Sequence, residues 1–159
     1  MTSVLRSRRG FSLIELVIVV LIIGILAAIA VPRMSRGATS AGDSALAGNL
    51  AVLRNAIDLF QTEHDGKFPA LADLDKALTG YSDQTATTYG AKDVPTGVIY
   101  GPYLRKVPAL PVGADKGKTS FIGSITAGNG WVYDATTGTI KANCPDSEVD
   151  VRGVKYNTY

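Results

Sequence analysis

A long apolar stretch comes first in the pattern of hydrophobic and polar positions. Residues 11–31 form a run of 21 residues that contains a single charge, Glu15. In a helix, which rises 1.5 Å per residue, such a run spans roughly 30 Å, the thickness of the hydrocarbon core of a bilayer. The pattern therefore predicts a transmembrane helix with one buried carboxylate.

A second helical pattern follows the apolar run. Large apolar residues recur at spacings of four, three, four and three, which places them on one helix face: Leu46, Leu50, Leu53, Ile57 and Phe60. Asp65-Gly66 supplies a stop signal. We therefore predict one long helix from Phe11 to about His64, with a membrane part (11–32) and an amphipathic continuation (33–64). Pro32 removes a backbone hydrogen bond and is predicted to kink the helix.

Residues 65–159 are predicted to form a small globular domain. The spacing of leucines favours a short helix from about Ala70 to Leu78, and Tyr81 to Gly97 is typical of a surface loop. The prolines between Tyr100 and Val112 favour an extended segment packed on a sheet or helix edge. The remaining segments are predicted strands: Ser120–Ile125, a hairpin of Trp131–Asp134 with Thr139–Ala142, and an edge strand through Val149, Val151 and Val154.

The formal charge of +2 is unevenly distributed. Residues 1–10 hold Arg6, Arg8 and Arg9 and no acid, so their removal leaves the side chains at −1. By the positive-inside rule, this leader faces the cytoplasm and the C-terminal domain lies across the membrane. Two export signals compete with this interpretation: a twin-arginine motif around Arg8-Arg9, and ordinary cleavage near Ala28-Ile29-Ala30. A charge within the apolar region argues against both.

Glu15 is the most informative residue of the run. A carboxylate within a membrane costs several kcal/mol unless it has a partner. It could snorkel to the interface, being one helical turn from Phe11, or it could pair with a cation. If the chain were cut after Gly10, Phe11 would carry a free amine. That amine would lie beside Glu15 of its own chain or, in a staggered array, beside Glu15 of a neighbour.

The start of the chain resembles the type III signal of type IV pilins and type II secretion pseudopilins. The resemblance rests on Arg8-Arg9-Gly10-Phe11-Ser12-Leu13-Ile14-Glu15-Leu16, on the apolar run and on Pro32. It implies cleavage after Gly10 by a prepilin peptidase and N-methylation of Phe11, with Glu15 contacting the N-terminus of a neighbour. It also implies the pilin-like α+β fold, in which a long N-terminal helix packs on a small antiparallel sheet.

Three features of the globular part resemble pseudopilins more closely. The segments Phe60–Leu78 and Tyr100–Val112 are similar to G-type pseudopilins, and the Trp131 hairpin is similar to the final hairpin of many pseudopilins. Many type IV pilins close a C-terminal loop with two cysteines, whereas this chain has Cys144 alone. These features favour the pseudopilin branch.

No catalytic constellation is predicted, and the protein is not expected to be an enzyme. His64 and Cys144 are the sole histidine and cysteine, and a surface or helix-cap role is expected for His64. No cofactor is predicted. G-type pseudopilins characteristically hold calcium, and Asp146, Glu148 and Asp150 alternate near the C-terminus. The usual acidic loop is absent, however, so a solvated tail is favoured and no ligands are assigned.

Together, these observations predict a filament subunit of a type II secretion system. It would be a single-pass inner-membrane protein with a periplasmic domain, and it would assemble into a periplasmic homo-oligomeric filament. The expected partners are prepilin peptidase, other pseudopilins and the inner-membrane secretion platform, with no nucleic acid. The alternatives are a type IV pilus or DNA-uptake pilin and, from a different class, a membrane-anchored binding or enzymatic domain. Glu15→Leu separates these classes, because a plain anchor would tolerate it.

Overall fold

The computed structural model describes residues 11–159, and for residues 31–36 and 38 it describes only the helical backbone. The leader, including the predicted cleavage residue Gly10, lies outside the described residues. The chain forms two compact units, with the boundary between Ala38 and Thr39. Each unit is described separately.

Helix α1 spans Leu13–Glu63, close to the predicted 11–64. The predicted stop at its C-terminus is confirmed. Gly66 takes φ +79°, and its N–H donates to the Gln61 carbonyl (2.9 Å), which closes the last turn. The backbone is helical at position 32. The bend expected at Pro32 stays a prediction.

From Leu13 onward, the described part of the first unit is helical. All side chains of residues 11–30 are exposed, although most of them are apolar. The stretch Leu13–Ala30 is long and apolar enough to cross a membrane. Its exposed aliphatic surface would be unfavourable in water, so this stretch requires lipid or other protein around it.

The second unit packs the predicted leucine face of α1 against the C-terminal part of the chain. All five predicted face residues are buried, with 0–1% of each side chain exposed. They meet the aromatic residues of a hairpin and the apolar residues of an extended segment, and the core includes Leu46, Leu50, Leu53, Ile57, Val107, Leu110, Val112, Trp131, Tyr133 and Ile140. Burial of this apolar surface is what holds the amphipathic half of α1 in place.

The extended segment lies between the helix and the hairpin, as predicted from its prolines. The Asn49 side-chain amide donates to the Ala109 carbonyl (3.0 Å), and the Trp131 indole N–H donates to the Pro108 carbonyl (2.9 Å). The carbonyl groups of this segment therefore accept hydrogen bonds from both α1 and the hairpin. The short helix that was predicted from leucine spacing is also present, as a 3₁₀ turn Leu71–Asp73 followed by α2 (Leu74–Thr79).

Two small sheets complete the second unit. Strands β1 (Tyr81–Ser82) and β2 (Tyr89–Gly90) pair antiparallel. Strands β3 (Phe121–Ile122), β4 (Trp131–Asp134) and β5 (Thr139–Ala142) form the main sheet in that order. The predicted hairpin is β4–β5, whose buried residues alternate along both strands.

Phe68 occupies the space beside the hairpin turn. Gly138 adopts φ +70°, and a Cβ at this position would lie 2.2 Å from the Phe68 ring. Only glycine suits both the backbone conformation and this close approach.

The structure corrects four details of the sequence-based expectations. Strand β3 runs parallel to β4, so the main sheet is mixed rather than antiparallel. The predicted strand Ser120–Ile125 shortens to two residues, and the predicted surface loop after Tyr81 contains the β1–β2 ladder. The predicted edge strand near the C-terminus is wrong. A tight turn takes its place, with a single bridge between Val149 and Lys155.

Buried Asn143 explains why the chain can return from β3 to a parallel β4. Its side-chain oxygen accepts from Thr126 N–H (3.0 Å), and its amide donates to the carbonyls of Thr126 (2.7 Å) and Asn129 (2.8 Å). These bonds tie the connecting loop to the residue that follows β5. No signal in the sequence distinguished this asparagine.

Candidate assembly site and C-terminal lock

The predicted assembly residues lie at the first turn of α1. The Leu16 N–H donates to the Ser12 carbonyl (3.2 Å), which places Ser12 at the N-cap. Glu15 turns back along the helix, and its Oε2 accepts from the Ser12 N–H (2.9 Å). This is half of a capping box, in which a glutamate three residues after the cap satisfies a free backbone donor. The negative charge also complements the positive end of the helix dipole.

This geometry brings the Glu15 carboxylate toward the predicted cleavage point. Phe11 directly precedes the N-cap, and 77% of its surface is exposed. Glu15 is exposed as well. An ionised carboxylate has about four acceptor sites, and one described hydrogen bond occupies one of them. The first turn therefore presents a carboxylate that could accept further hydrogen bonds from a cationic donor.

A second cluster of polar residues, absent from the sequence-based expectations, lies at the end of the chain around Asp150. The exposed fraction of Asp150 is only 5%. Its carboxylate accepts from the N–H groups of Arg152 and Val154, from the Arg152 guanidinium and from the Tyr159 hydroxyl (2.5–2.8 Å). Burial raises the pKa of Asp150, but these hydrogen bonds outweigh burial and hold the pKa well below its usual range.

Contacts with α1 fasten this cluster to the helix. The Tyr156 hydroxyl donates to Asp43 (3.0 Å), which is itself buried, and Arg54 donates to the main-chain oxygen of Tyr159 (2.5 Å). Burial and the Asp43 carboxylate raise the pKa of Tyr156 to about 12, so its hydroxyl remains a donor at neutral pH. We call Asp43, Arg54, Asp150, Tyr156 and Tyr159 the C-terminal lock.

The C-terminal lock predicts a specific loss of stability in acid. Because the folded state lowers the pKa of Asp150, its stabilising effect is complete above the ordinary aspartate value of about 4 and is lost as the pH falls below it. We expect Asp150→Asn to be less stable than wild type at pH 7. We also expect it to lose less stability than wild type when the pH falls from 5 to 2. Thermal melts across this range would measure both effects. Asp75→Asn, on the exposed face of α2, is the matched control, and equal acid profiles for wild type and Asp150→Asn would contradict the prediction.

His64 is buried, so the expected surface role is wrong, whereas its contact with a carbonyl of the last turn of α1 is consistent with the expected cap role. None of its side chain is exposed, and its ring stacks on Phe60 at a centroid distance of 3.7 Å. Nδ1 lies 2.7 Å from the Phe60 carbonyl, which assigns the proton to Nδ1, so Nε2 accepts from the Ser82 hydroxyl (2.9 Å). Both ring nitrogens have partners within the core, so His64 is a structural residue that ties α1 to β1.

Cys144 is also a core residue. It is fully buried, and burial together with the nearby Glu148 carboxylate raises the pKa of its thiol to about 12. A thiol in this environment is a poor nucleophile. Among the described residues, no contact joins His64 to Cys144. The two side chains therefore do not form a pair of nucleophile and base.

The acidic residues near the C-terminus do not fit a calcium site. Asp146 binds Lys155 and Asn157, and Asp150 belongs to the C-terminal lock. One oxygen of Glu148 accepts from Ala114 N–H (2.9 Å), and the other is buried against Gly113 and Cys144 without a conventional hydrogen-bond partner. Calcium takes six to eight oxygens. Within the described residues, no three His, Cys, Asp or Glu side chains are arranged around one point.

Comparisons with known proteins find one motif at the start of the chain and several relatives. Residues 5–31 match the prokaryotic N-terminal methylation motif. The chain is 25% identical to type II secretion system core protein G of Klebsiella pneumoniae over 70% of its own length and 74% of the relative. It is 33% identical to the ComG operon protein 3 homolog of Bacillus licheniformis, over 43% of its own length and 71% of the relative.

A third relative has a higher identity over a match as long as the second. The type IV major alpha-pilin of Moraxella bovis is 41% identical over 43% of this chain and 42% of the relative. No solved structure gives a significant match.

Proposed function

Because the chain belongs to the family of type IV pilin-like proteins and type II secretion pseudopilins, we propose that it is a pseudopilin. In this role it is a filament subunit of a type II secretion system, held in the inner membrane by Leu13–Ala30 until it assembles. Prepilin peptidase cuts after Gly10 and methylates Phe11. The assembled filament lies in the periplasm and contacts other pseudopilins and the secretion platform.

The position of Glu15 carries this proposal. In the single chain, the Glu15 carboxylate caps its own helix and retains acceptor capacity at the end of an exposed apolar helix. In the filament, it accepts from the protonated amine of Phe11 of a neighbouring copy. Ion pairing offsets the several kcal/mol that a lone carboxylate costs in an apolar environment, and methylation leaves the amine able to carry its proton. Each added copy thereby neutralises one buried charge.

The extent of similarity favours secretion over the other filament systems. Core protein G of Klebsiella pneumoniae matches 70% of this chain, and the ComG and type IV pilin relatives each match 43%. A match of 111 residues is longer than the leader and the long helix together, so it extends into residues 65–159. The single buried cysteine also excludes the intrachain disulfide that many type IV pilins have. A type IV pilus or DNA-uptake pilin is the alternative, supported by the higher identity of those shorter matches.

The mass of the N-terminal peptide tests the processing step. We expect protein extracted from membranes to begin at a methylated Phe11, because the leader and cleavage residue match the methylation motif. Gly10→Val is the matched control and should keep the leader. A chain that starts at Val31, or a wild-type chain that retains Met1, would contradict the filament proposal. Labelled filaments confined to the periplasm would support the secretion system, whereas long surface filaments would support a pilus.

A further inference from the structure

Three exposed valines cluster around one turn close to the end of the chain. Val149, Val151 and Val154 are 44%, 56% and 41% exposed. They surround a turn in which the Gly153 N–H donates to the Asp150 carbonyl (3.0 Å) and Gly153 takes φ +82°. We call these three residues the valine knob. The Asp150 carboxylate binds two backbone N–H groups within the same turn, so the knob is held in one conformation before it meets any partner.

A shallow hollow lies on the outer face of α1. It has a volume of about 380 Å³ and is lined by Asn55, Asp58, Leu59 and Thr62. Leu59 is 54% exposed, and Val52, two turns earlier on the same face, is 48% exposed. This face is opposite to the buried leucine face of the helix. We call these four lining residues the Leu59 hollow.

The valine knob and the Leu59 hollow lie at different levels of α1. The Val151 N–H is 3.4 Å from the Asp43 carboxylate, which places the knob beside the start of the second unit. Asp43 and Leu59 are 16 residues apart in α1, or ~24 Å along its axis. The two surfaces therefore cannot meet within one copy. A contact between unlike surfaces of two copies is heterologous, and heterologous contacts propagate into helical filaments rather than closing as dimers.

The charges at the two surfaces are complementary. Arg152 belongs to the same turn as the three valines, and 68% of its side chain is exposed. Its Nε and Nη2 bind Asp150 and Tyr159, which leaves the Nη1 donors for an outside acceptor. Asp58 lines the hollow, and among the described residues its carboxylate has no ionic or hydrogen-bonded partner. Opposite charges at the rim of an apolar contact fix its register.

From these observations we infer that the valine knob of one copy binds in the Leu59 hollow of a second copy, with Arg152 facing Asp58. This inference rests on the proposed filament function and adds the surface by which the folded domains meet. A rigid apolar knob fits a hollow that already exposes a leucine, and burying both removes apolar surface from water. The contact acts outside the membrane, separately from Glu15.

Cysteine cross-linking of the full-length chain in membranes tests the contact. The double variant Leu59→Cys/Val151→Cys should give a ladder of cross-linked multimers under mild oxidation. Each copy carries both surfaces, so it can be cross-linked to one neighbour through Cys at position 59 and to another through Cys at position 151. Each single variant should stay monomeric, because like positions do not meet in a heterologous contact. Leu59→Cys/Val94→Cys is the matched control, as Val94 is 69% exposed but belongs to neither surface. Native Cys144 is buried and should not react.

The outcomes separate this inference from the proposed function. A ladder in the Leu59/Val151 double variant, at least tenfold stronger than in the control, supports the contact. Filaments without that ladder overturn the contact alone, as do dimers of a single variant or an equal ladder in the control. If the double variant gives no ladder and the unmodified protein forms no filament, both the contact and the proposed function are wrong. Fluorescence of Trp131 confirms that each variant is folded.

Discussion

Glu15→Leu is expected to abolish filament assembly while the protein still accumulates in the membrane. The substitution removes the one charge of an otherwise apolar run, so insertion of the helix should be unchanged or improved. In the filament, however, the protonated amine of each neighbouring Phe11 would lie in an apolar environment without a partner. Removing one member of a buried ion pair costs on the order of 3 kcal/mol, which weakens each subunit addition by roughly two orders of magnitude.

One further variant separates the charge of Glu15 from its role as a helix cap, and a second variant is a control. Glu15→Gln keeps an oxygen that can accept from the Ser12 N–H, but it carries no charge. If charge neutralisation drives assembly, Glu15→Gln should fail almost as completely as Glu15→Leu. Val19→Leu, an exposed apolar position in the same run, should assemble normally.

Membrane extracts and filament preparations from the same cells would measure this prediction. The amount of protein in membranes should be equal across the four chains, and filaments should form only in wild type and Val19→Leu. Normal filaments from Glu15→Leu would show that the run is a plain anchor with a tolerated polar residue. Normal filaments from Glu15→Gln alone would show that the cap, rather than the charge, is what assembly requires.

The elements that could be predicted from the sequence are those whose signals are local. The leucine face of α1 repeats with the period of a helix over fifteen residues, and the Asp65-Gly66 stop adjoins it. The hairpin alternates buried and exposed residues around a glycine turn. In both cases, the residues that decide the structure are close neighbours in sequence, so periodicity and turn chemistry suffice.

The errors concern residues whose partners are distant in sequence. His64 was expected at the surface, but Ser82 and Tyr100 approach it and complete a buried site. Val149, Val151 and Val154 were predicted to form an edge strand, yet the intervening Asp150 binds backbone N–H groups of its own segment and imposes a turn. Short polar side chains compete with strand pairing in this way, and the sequence pattern alone does not show which interaction prevails.

The assembly residues are close together in sequence, whereas the residues of the C-terminal lock are far apart. Gly10, Phe11 and Glu15 lie within six residues, so a sequence motif suffices to place them together. The C-terminal lock joins Asp43 to Tyr156, 113 residues away, and Arg54 to Tyr159, 105 residues away. No spacing rule connects such pairs. The structure was therefore needed to find the lock, the valine knob that it supports and the second surface of contact.

Leu53→Ala is expected to cause a large loss of stability in the second unit. None of the Leu53 side chain is exposed, and it belongs to the core that includes Trp131. Truncating a buried leucine removes its transfer free energy and leaves a cavity, at a typical cost of about 2–5 kcal/mol. For a domain of this size, the melting temperature should fall by roughly 10 °C or more.

Leu59→Ala provides a matched control on the opposite face of the same helix. The chemical change is identical, but Leu59 is 54% exposed, so the free energy of unfolding should change by no more than about 0.5 kcal/mol. The near-ultraviolet circular dichroism of Trp131, followed during melting of the full-length chain in detergent, would compare the two variants. Equal shifts would show that the buried face of α1 is misassigned. The expected difference would separate folding from assembly, because Leu53 acts within one copy, whereas Leu59 is proposed to act between two.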